Sequence, residues 1–432
     1  MNAAEFLAQY QATGSATDLE VMSNTLAILE DVKKRGDAAL REYTSRFDGE
    51  EVADFLVPEA QLQASWEGLE PELQEAMVLV RSRIENYEQQ IREKNKDLGE
   101  ISYVLNPVQR VGLYIPGGTA LYPSSVLMTV VAAQVAGVKE FYAVTPMFDT
   151  NNITFATLYF LGIKNVYRLG GAQAIGALAY GTQTIPKVDM IVGPGNAYVA
   201  AAKRIVYGEV GIDSVAGPSE VLVYTDGNAQ VDDVAYEILA QAEHDVDART
   251  YLLSESADFA AKVSARIADL VGGQKRAQII AASLENCHYT VVDSRENLLE
   301  VANRIAAEHV SVLVAPEDAA EITEAITYAG AIFVGPYAPV AIGDYIAGPS
   351  HVLPTASAAR FSNGLNVNSY LHGHAVIQLG ASTYADIAPA AKRIAREEGL
   401  FAHKASLAIR EKRAAAEAAE AAVAAQAAET AQ

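Results

Sequence analysis

At roughly 150 residues per domain, a chain of 432 residues has room for about three domains and can bury a large core without disulfide or metal staples. Its 54 acidic against 32 basic side chains leave a formal charge of −22, which excludes a sequence-independent grip on nucleic-acid phosphates or anionic lipid. A single cysteine, Cys287, excludes a disulfide framework, a thiolate metal cluster and a CxxC redox pair. With no secretory-type leader and no apolar stretch long enough to span a bilayer, the expected compartment is the cytoplasm.

In chain order, TDLEVMSNTLAILEDVKKRG and PELQEAMVLVRSRIENYEQQIREK carry apolar residues at three-to-four spacing and predict a helical N-terminal region over 1–103. From Val104 short β-branched and aromatic runs, RVGLYI, EFYAVTP, NVYRLGG, VDMIVGPG and SEVLVYTDG, alternate with segments of helical length. That alternation predicts βαβ units and a parallel sheet. RTYLLSES, HYTVVD, HVSVLVAP and AIFVGPY form a second such series. The expected fold is therefore α/β, with two Rossmann-like parallel-sheet modules over 104–245 and 246–380. A helical C-terminal segment over 381–410 follows, and then an alanine-rich tail, 411–432, without an apolar face, expected to be a frayed helix or disordered.

Parallel sheets bind ligands where strands hand over to helices. Three glycine-rich junctions stand out: Pro116-Gly117-Gly118, Gly170-Gly171, and Gly193-Pro194-Gly195. At the third, Gly193 and Gly195 satisfy GxG and Asp213 lies near the distance of a ribose-binding acid. Tyr198 nevertheless stands where the third small residue of a dinucleotide fingerprint belongs. Closing tight turns would also account for these glycines. The polar residues beside them, Tyr114, Gln173 and Asn196, favour a nucleotide-like ligand, while the lack of GxxxxGK followed by Ser or Thr excludes a P-loop.

AQAEHD sets Gln241 and His244 three residues apart at the end of a helix, on one face. Glu308 and His309 place a carboxylate next to an imidazole at a strand start, GDYIAGPSHVLPT carries Asp344 and His351, and EEGLFAHK carries Glu398 and His403. With one cysteine in the chain, a transition metal would need nitrogen and oxygen ligands, and scattered His and Asp donors suit a catalytic zinc better than a structural one. Capping and solvation offer each of these residues an ordinary role as well. His372 and His374 bracket a glycine in a polar strand and are read as bystanders, as is His288. Cys287 precedes a strand, away from the ligand-binding end of a parallel sheet, and is read as a buried bystander rather than the nucleophile of an aldehyde-oxidising enzyme.

Together, YIPGG with YPSSVLM, GGAQAIGALAYGT, VGPGNAYVAAAKR, VGIDSVAGPSEVLV, AQAEHD, AEHV, GDYIAGPSHVLPT and EGLFAHK closely resemble the histidinol dehydrogenase family, in that family's order, from about Val104 to Arg410. The resemblance implies a homodimeric zinc enzyme that oxidises L-histidinol to L-histidine through the aldehyde, reducing two NAD in succession, the final step of histidine biosynthesis. It implies zinc ligands at Gln241, His244, Asp344 and His403, which also hold the substrate. It implies an acid/base pair at Glu308 and His309, with His309 touching substrate, and further substrate contacts at Ser219, His351 and Glu398. It implies NAD contacts at Tyr114, Gln173 and Asn196. The 381–410 segment would cross to the partner subunit, so that Glu398 and His403 complete the other protomer's site.

The side chains suit that chemistry. An imidazole with a reference pKa of roughly 6.5 can take the alcohol's proton near neutrality, and Glu308 can activate the water that turns the aldehyde into a gem-diol, so no thiol is needed. The chain departs from the family pattern at Val340, where glutamate is usual, and in NGLNVNSYL after ARFS. Related dehydrogenases acting on other small alcohols share the scaffold; His351, Glu398 and Ser219 argue for histidinol. A catalytically silent metal-binding or regulatory paralogue is the rival from another class, and the filled ligand and proton-transfer positions speak against it.

Overall fold

The computed structural model describes residues 1–10, 19–117, 122–146, 152–215 and 217–430. Thirteen strands are found among them: β1 Lys96–Asp97, β2 Ile101–Pro107, β3 Arg110–Tyr114, β4 Glu140–Thr145, β5 Asn165–Arg168, β6 Met190–Val192, β7 Gly211–Ile212, β8 Glu220–Thr225, β9 Arg249–Ser254, β10 His288–Val292, β11 His309–Leu313, β12 Ala331–Val334 and β13 Leu371–Ile377. They form two five-stranded parallel sheets, β5-β4-β3-β6-β7 and β10-β9-β8-β11-β12, and a separate three-stranded sheet, β1-β2-β13. The two parallel sheets share one winding. Each starts at its central strand, adds two strands on one side, then returns to add two on the other.

Strands such as β4 and β8 are near-continuous apolar runs because helices cover both faces of their sheets. On the first sheet, one face packs against the Pro123–Ala136 helix, which is apolar all round and is itself covered by Ile84 and Tyr370. The other face packs against the Gly171–Tyr180 and Ala197–Val206 helices, with Leu29 and Val32 beneath them. On the second sheet, Leu298, Val301 and Ile322 fill one face and Val234, Ile238 and Val263 the other.

Two units are distinct. The first comprises residues 1–92 and 107–371 and contains both parallel sheets; the second comprises 93–106 and 372–432. The described helices of the N-terminal region end at Ile91, short of the expected limit at 103 because β1 and β2 pair there, and they are dealt out among the cores instead of forming a layer of their own. Phe6 enters the second sheet's core, Leu29 one face of the first sheet, and Leu62 the other. SEVLVYTDG opens the second sheet, so the hand-over between modules falls between β7 and β8, upstream of the expected 245/246 boundary. The reason is pairing: β8 lies between β9 and β11 in parallel register, with the Val231–Ala242 helix as its crossover.

In the second unit, the Ala381–Glu397 helix is followed by one continuous helix, Phe401–Thr430. The alanine-rich tail is thus helical over 411–430, one of the two states expected of it, as its Ala, Glu, Gln, Lys and Arg content favours. Its first half is docked by an ion pair between Lys392 and Glu411 and by the Tyr384 hydroxyl donating to the Leu407 carbonyl at 2.8 Å.

Candidate active site

The first sheet reverses its winding between β3 and β6, which leaves a crevice beyond the carboxyl ends of these strands. A cavity lies there, lined by Tyr114, Pro116, Ser125, Thr129, Gly193 and Pro194. Tyr114 is buried, its hydroxyl accepts the Gly171 N–H at 3.2 Å at the start of the Gly171–Tyr180 helix, and burial pushes its phenol pKa up. Gly193 has φ +115°, and a Cβ on it would come within 2.0 Å of the Tyr114 carbonyl oxygen, so only glycine fits. Gln173 is 1% exposed, and its Oε1 has no hydrogen-bond partner among the described residues. Asn196 caps the Ala197–Val206 helix, its Oδ1 accepting from Tyr198 N–H and Val199 N–H at 3.1 Å each. Of the first glycine junction, Gly118 lies outside the described residues.

Asp213 is not available to a ribose. Its carboxylate is buried, accepts the Gly193 N–H at 2.8 Å and the Ser214 N–H at 2.7 Å, and pairs with Lys203. The fingerprint-like spacing reflects an internal contact.

The second sheet puts its polar residues at the amino ends of its two central strands. Parallel pairing of β8 with β11 sets Val221 beside His309 and brings Glu220 against Glu308. The Glu220 N–H donates to Glu308 Oε2 at 2.9 Å, and His309 Nδ1–H donates to the Glu220 carbonyl at 3.1 Å. A carbonyl can only accept, so Nδ1 carries the proton and Nε2 of the neutral ring is a lone pair. That Nε2 is buried without a hydrogen-bond partner among the described residues and sits 3.8 Å from Asp344 Oδ1. Burial, with the charges of His244 and His351 adding to it, holds the His309 pKa at about 4. Burial likewise raises Glu308 well above the usual carboxylate range and Glu220 to about 7, the latter partly offset by Arg249.

Around this pair, His351 donates from Nδ1 to the Asp344 carbonyl at 2.9 Å and accepts at Nε2 from the Ser125 hydroxyl at 2.8 Å. Ser125 also lines the first-sheet cavity, so His351 joins the two parts of the site. Gln241 Nε2 and His244 Nδ1 are 3.1 Å apart at the end of the Val231–Ala242 helix. Ser219 is half-buried just before β8, its carbonyl accepting from the Arg249 N–H. Glu398 is the C-cap of the Ala381–Glu397 helix and His403 lies in the first turn of the Phe401–Thr430 helix; both belong to the second unit.

Glu220 and Ser125 escaped sequence reading. The available signal for Glu220 was a charged residue opening a strand whose next four residues, VLVY, are apolar or aromatic. Val340 is buried and its N–H donates to both oxygens of the Glu237 carboxylate at 3.2 Å, so the departure at this position is accommodated by a carboxylate from the neighbouring helix. Cys287 is half-buried rather than buried, and burial raises its thiol pKa, which keeps it unreactive. His288 is fixed between Thr250 and Thr290, while His372 and His374 stand on β13 without resolved partners of the site.

Among the described residues no three His, Cys, Asp or Glu side chains of the chain converge so as to hold a metal ion. The donor set nevertheless fits zinc. Gln241 and His244 would offer oxygen and nitrogen from one helix end, and Asp344 would offer a carboxylate, whose pKa burial raises to about 6.

A family model described as histidinol dehydrogenase matches residues 12–411. A histidinol dehydrogenase of Staphylococcus saprophyticus is 43% identical over 388 residues, covering 89% of this chain and 91% of that protein. One from Staphylococcus epidermidis is 42% identical over 420 residues, covering 95% of this chain and all of the other. The crystal structure of histidinol dehydrogenase from Elizabethkingia anophelis superposes with a TM-score of 0.86 at 34% identity, covering 90% of this chain and 92% of that one.

Proposed function

The chain belongs to the histidinol dehydrogenase family of zinc- and NAD-dependent oxidoreductases, and from that premise we propose how its own residues carry the oxidation of L-histidinol to L-histidine. The observation that carries this reading is the His309 tautomer. With Nδ1–H held by the Glu220 carbonyl, the Nε2 lone pair is a general base already facing the interior.

In the first oxidation the substrate's C–H bond breaks as hydride passes to NAD, the hydroxyl proton passes to His309 Nε2, and an aldehyde forms. In the second, water adds to the aldehyde: Glu308 takes a proton from the water while His309 returns the proton it holds to the carbonyl oxygen, which gives the gem-diol and frees Nε2 again. The raised pKa of that carboxyl makes its ionised form a stronger base than an exposed glutamate. The gem-diol then gives hydride to a second NAD and a proton to His309, leaving the carboxylic acid, which ionises to the carboxylate by releasing its proton to water. One alcohol and one water thus reduce two NAD.

Gln241, His244 and Asp344 would hold zinc, with His403 from a partner copy as the fourth ligand. The bound metal would supply a Lewis-acidic template that grips the substrate's imidazole and amine. Ser219, His351 and a partner copy's Glu398 would contact the substrate, while Tyr114, Gln173 and Asn196 would face NAD. The reading therefore includes a homodimer with exchanged C-terminal segments, at work in the cytoplasm. No described helix is long and apolar enough to cross a membrane.

The test is the ratio of NADH formed to L-histidinol consumed by the zinc-loaded protein. Two is expected; one, or no turnover, overturns the proposal.

A further inference from the structure

Lys203 and Asp213 form an ion pair whose side chains are 4% and 2% exposed, and both ends of that pair grip a single residue's backbone. Lys203 Nζ donates to the Gly193 carbonyl at 3.0 Å, and the Gly193 N–H donates to Asp213 Oδ2 at 2.8 Å. Lys203 reaches back from the last turn of the Ala197–Val206 helix, and Asp213 follows β7 directly. Gly193 is thus held on its amide side and its carbonyl side by two different elements.

A buried ion pair is a poor way to gain stability, since desolvation offsets the attraction and apolar replacements are often neutral. What this pair fixes is placement. Gly193 rests against the Tyr114 carbonyl with no room for a Cβ, and Asn196 lies three residues further on, capping the helix that carries Lys203. Two of the three side chains assigned to NAD are therefore positioned from Gly193.

We propose that Lys203 and Asp213 are a positioning pair for the dinucleotide site, setting the Gly193-Pro194-Gly195 turn in the conformation that NAD requires, without touching the alcohol. The proposal rests on the assignment of the first-sheet crevice to NAD.

The experiment measures NAD binding to the zinc-loaded enzyme by calorimetry, without alcohol, alongside separate KM values for NAD and L-histidinol. Replacing one partner would strand the other's charge, so the main variant is the double K203M/D213N, in which the introduced amide can still accept the Gly193 N–H. Its NAD dissociation constant should rise at least tenfold while the KM for L-histidinol stays within twofold. K203R, which keeps the charge but shifts the donor, should weaken NAD binding several-fold and serves if the double variant does not fold. Unchanged NAD affinity in a folded variant overturns the proposal, as does an equal loss of affinity for both substrates. Failure of the wild-type enzyme to bind NAD would overturn instead the assignment of the crevice.

Discussion

The Glu220 carbonyl and His309 Nδ1 are 3.1 Å apart, and that one hydrogen bond decides which nitrogen of the imidazole is a base. Because the acceptor is backbone, the tautomer is fixed by the pairing of β8 with β11. His309→Asn retains a polar group of similar reach but no basic nitrogen. It should lower kcat by about 10²- to 10⁴-fold, the usual contribution of a positioned acid/base group, while zinc content by metal analysis stays at the wild-type level. His244→Asn should lower both. Loss of metal in the first variant would show that the two histidines have exchanged roles.

As a ligand in the proposed zinc set, Asp344 would link metal binding to acidity. A buried carboxyl with a pKa near 6 must lose its proton to bind a cation, and so must the imidazole nitrogen of His244 that is to act as ligand. Zinc affinity should therefore fall as pH drops from 7 to 5, more steeply than for a site built on exposed carboxylates, as read by competition with a chromophoric chelator. Asp344→Asn removes the titrating ligand: zinc binding should be weaker at pH 7, and its remaining pH dependence shallower. An unchanged profile in the variant would exclude Asp344 from the metal.

Gly193 and Gly208 offer a matched pair of substitutions. Both have positive φ, +115° and +100°, yet a Cβ at Gly208 meets nothing within 4 Å, whereas one at Gly193 meets the Tyr114 carbonyl at 2.0 Å. Gly208→Ala should cost about 1 kcal/mol of backbone strain with NAD binding intact. Gly193→Ala should cost several times as much stability in a denaturant titration and abolish NAD binding. Equal costs would mean that the turn relaxes away from Tyr114.

The residues now gathered at His309 were readable to different degrees, for physical reasons. Glu308, His309, Asp344 and His351 are polar groups set against apolar surroundings, and such contrast shows in a sequence. Glu220 reads as the first residue of a strand because its two bonds to the site are made by its own backbone, which has no residue signature. The membership of β8 in the second sheet was hidden for a similar reason: alternation of strands and helices reports that parallel strands exist, but not which neighbour each one chooses. Asp213 shows the converse failure, a spacing shared with a ribose-binding acid but spent on Lys203 and Gly193. For the tail, the lack of an apolar face leaves a frayed helix and disorder both open in the sequence, and the high helix propensity of alanine favours the helix that is found.

Glu88 gives a pH signature of folding from a residue with no assigned part in the reaction. It is fully buried on the Pro71–Ile91 helix, accepts the Val367 N–H at 2.7 Å through Oε2, and leaves Oε1 without a partner among the described residues. Burial raises its pKa from 4.5 to about 7. The folded chain then binds more protons at this site than the unfolded chain does between those two values. Its stability must accordingly fall as pH rises from 4.5 through 7, and the loss is complete above that range. A shift of this size corresponds to about 3 kcal/mol at most. Glu88→Gln keeps an acceptor for Val367 and carries no charge, so the variant should be more stable than wild type at pH 8 and close to it at pH 5, as read from urea midpoints at the two values. If wild type and variant instead differ by the same amount at both, the carboxyl is ionised in the folded protein and its unpartnered oxygen is hydrated.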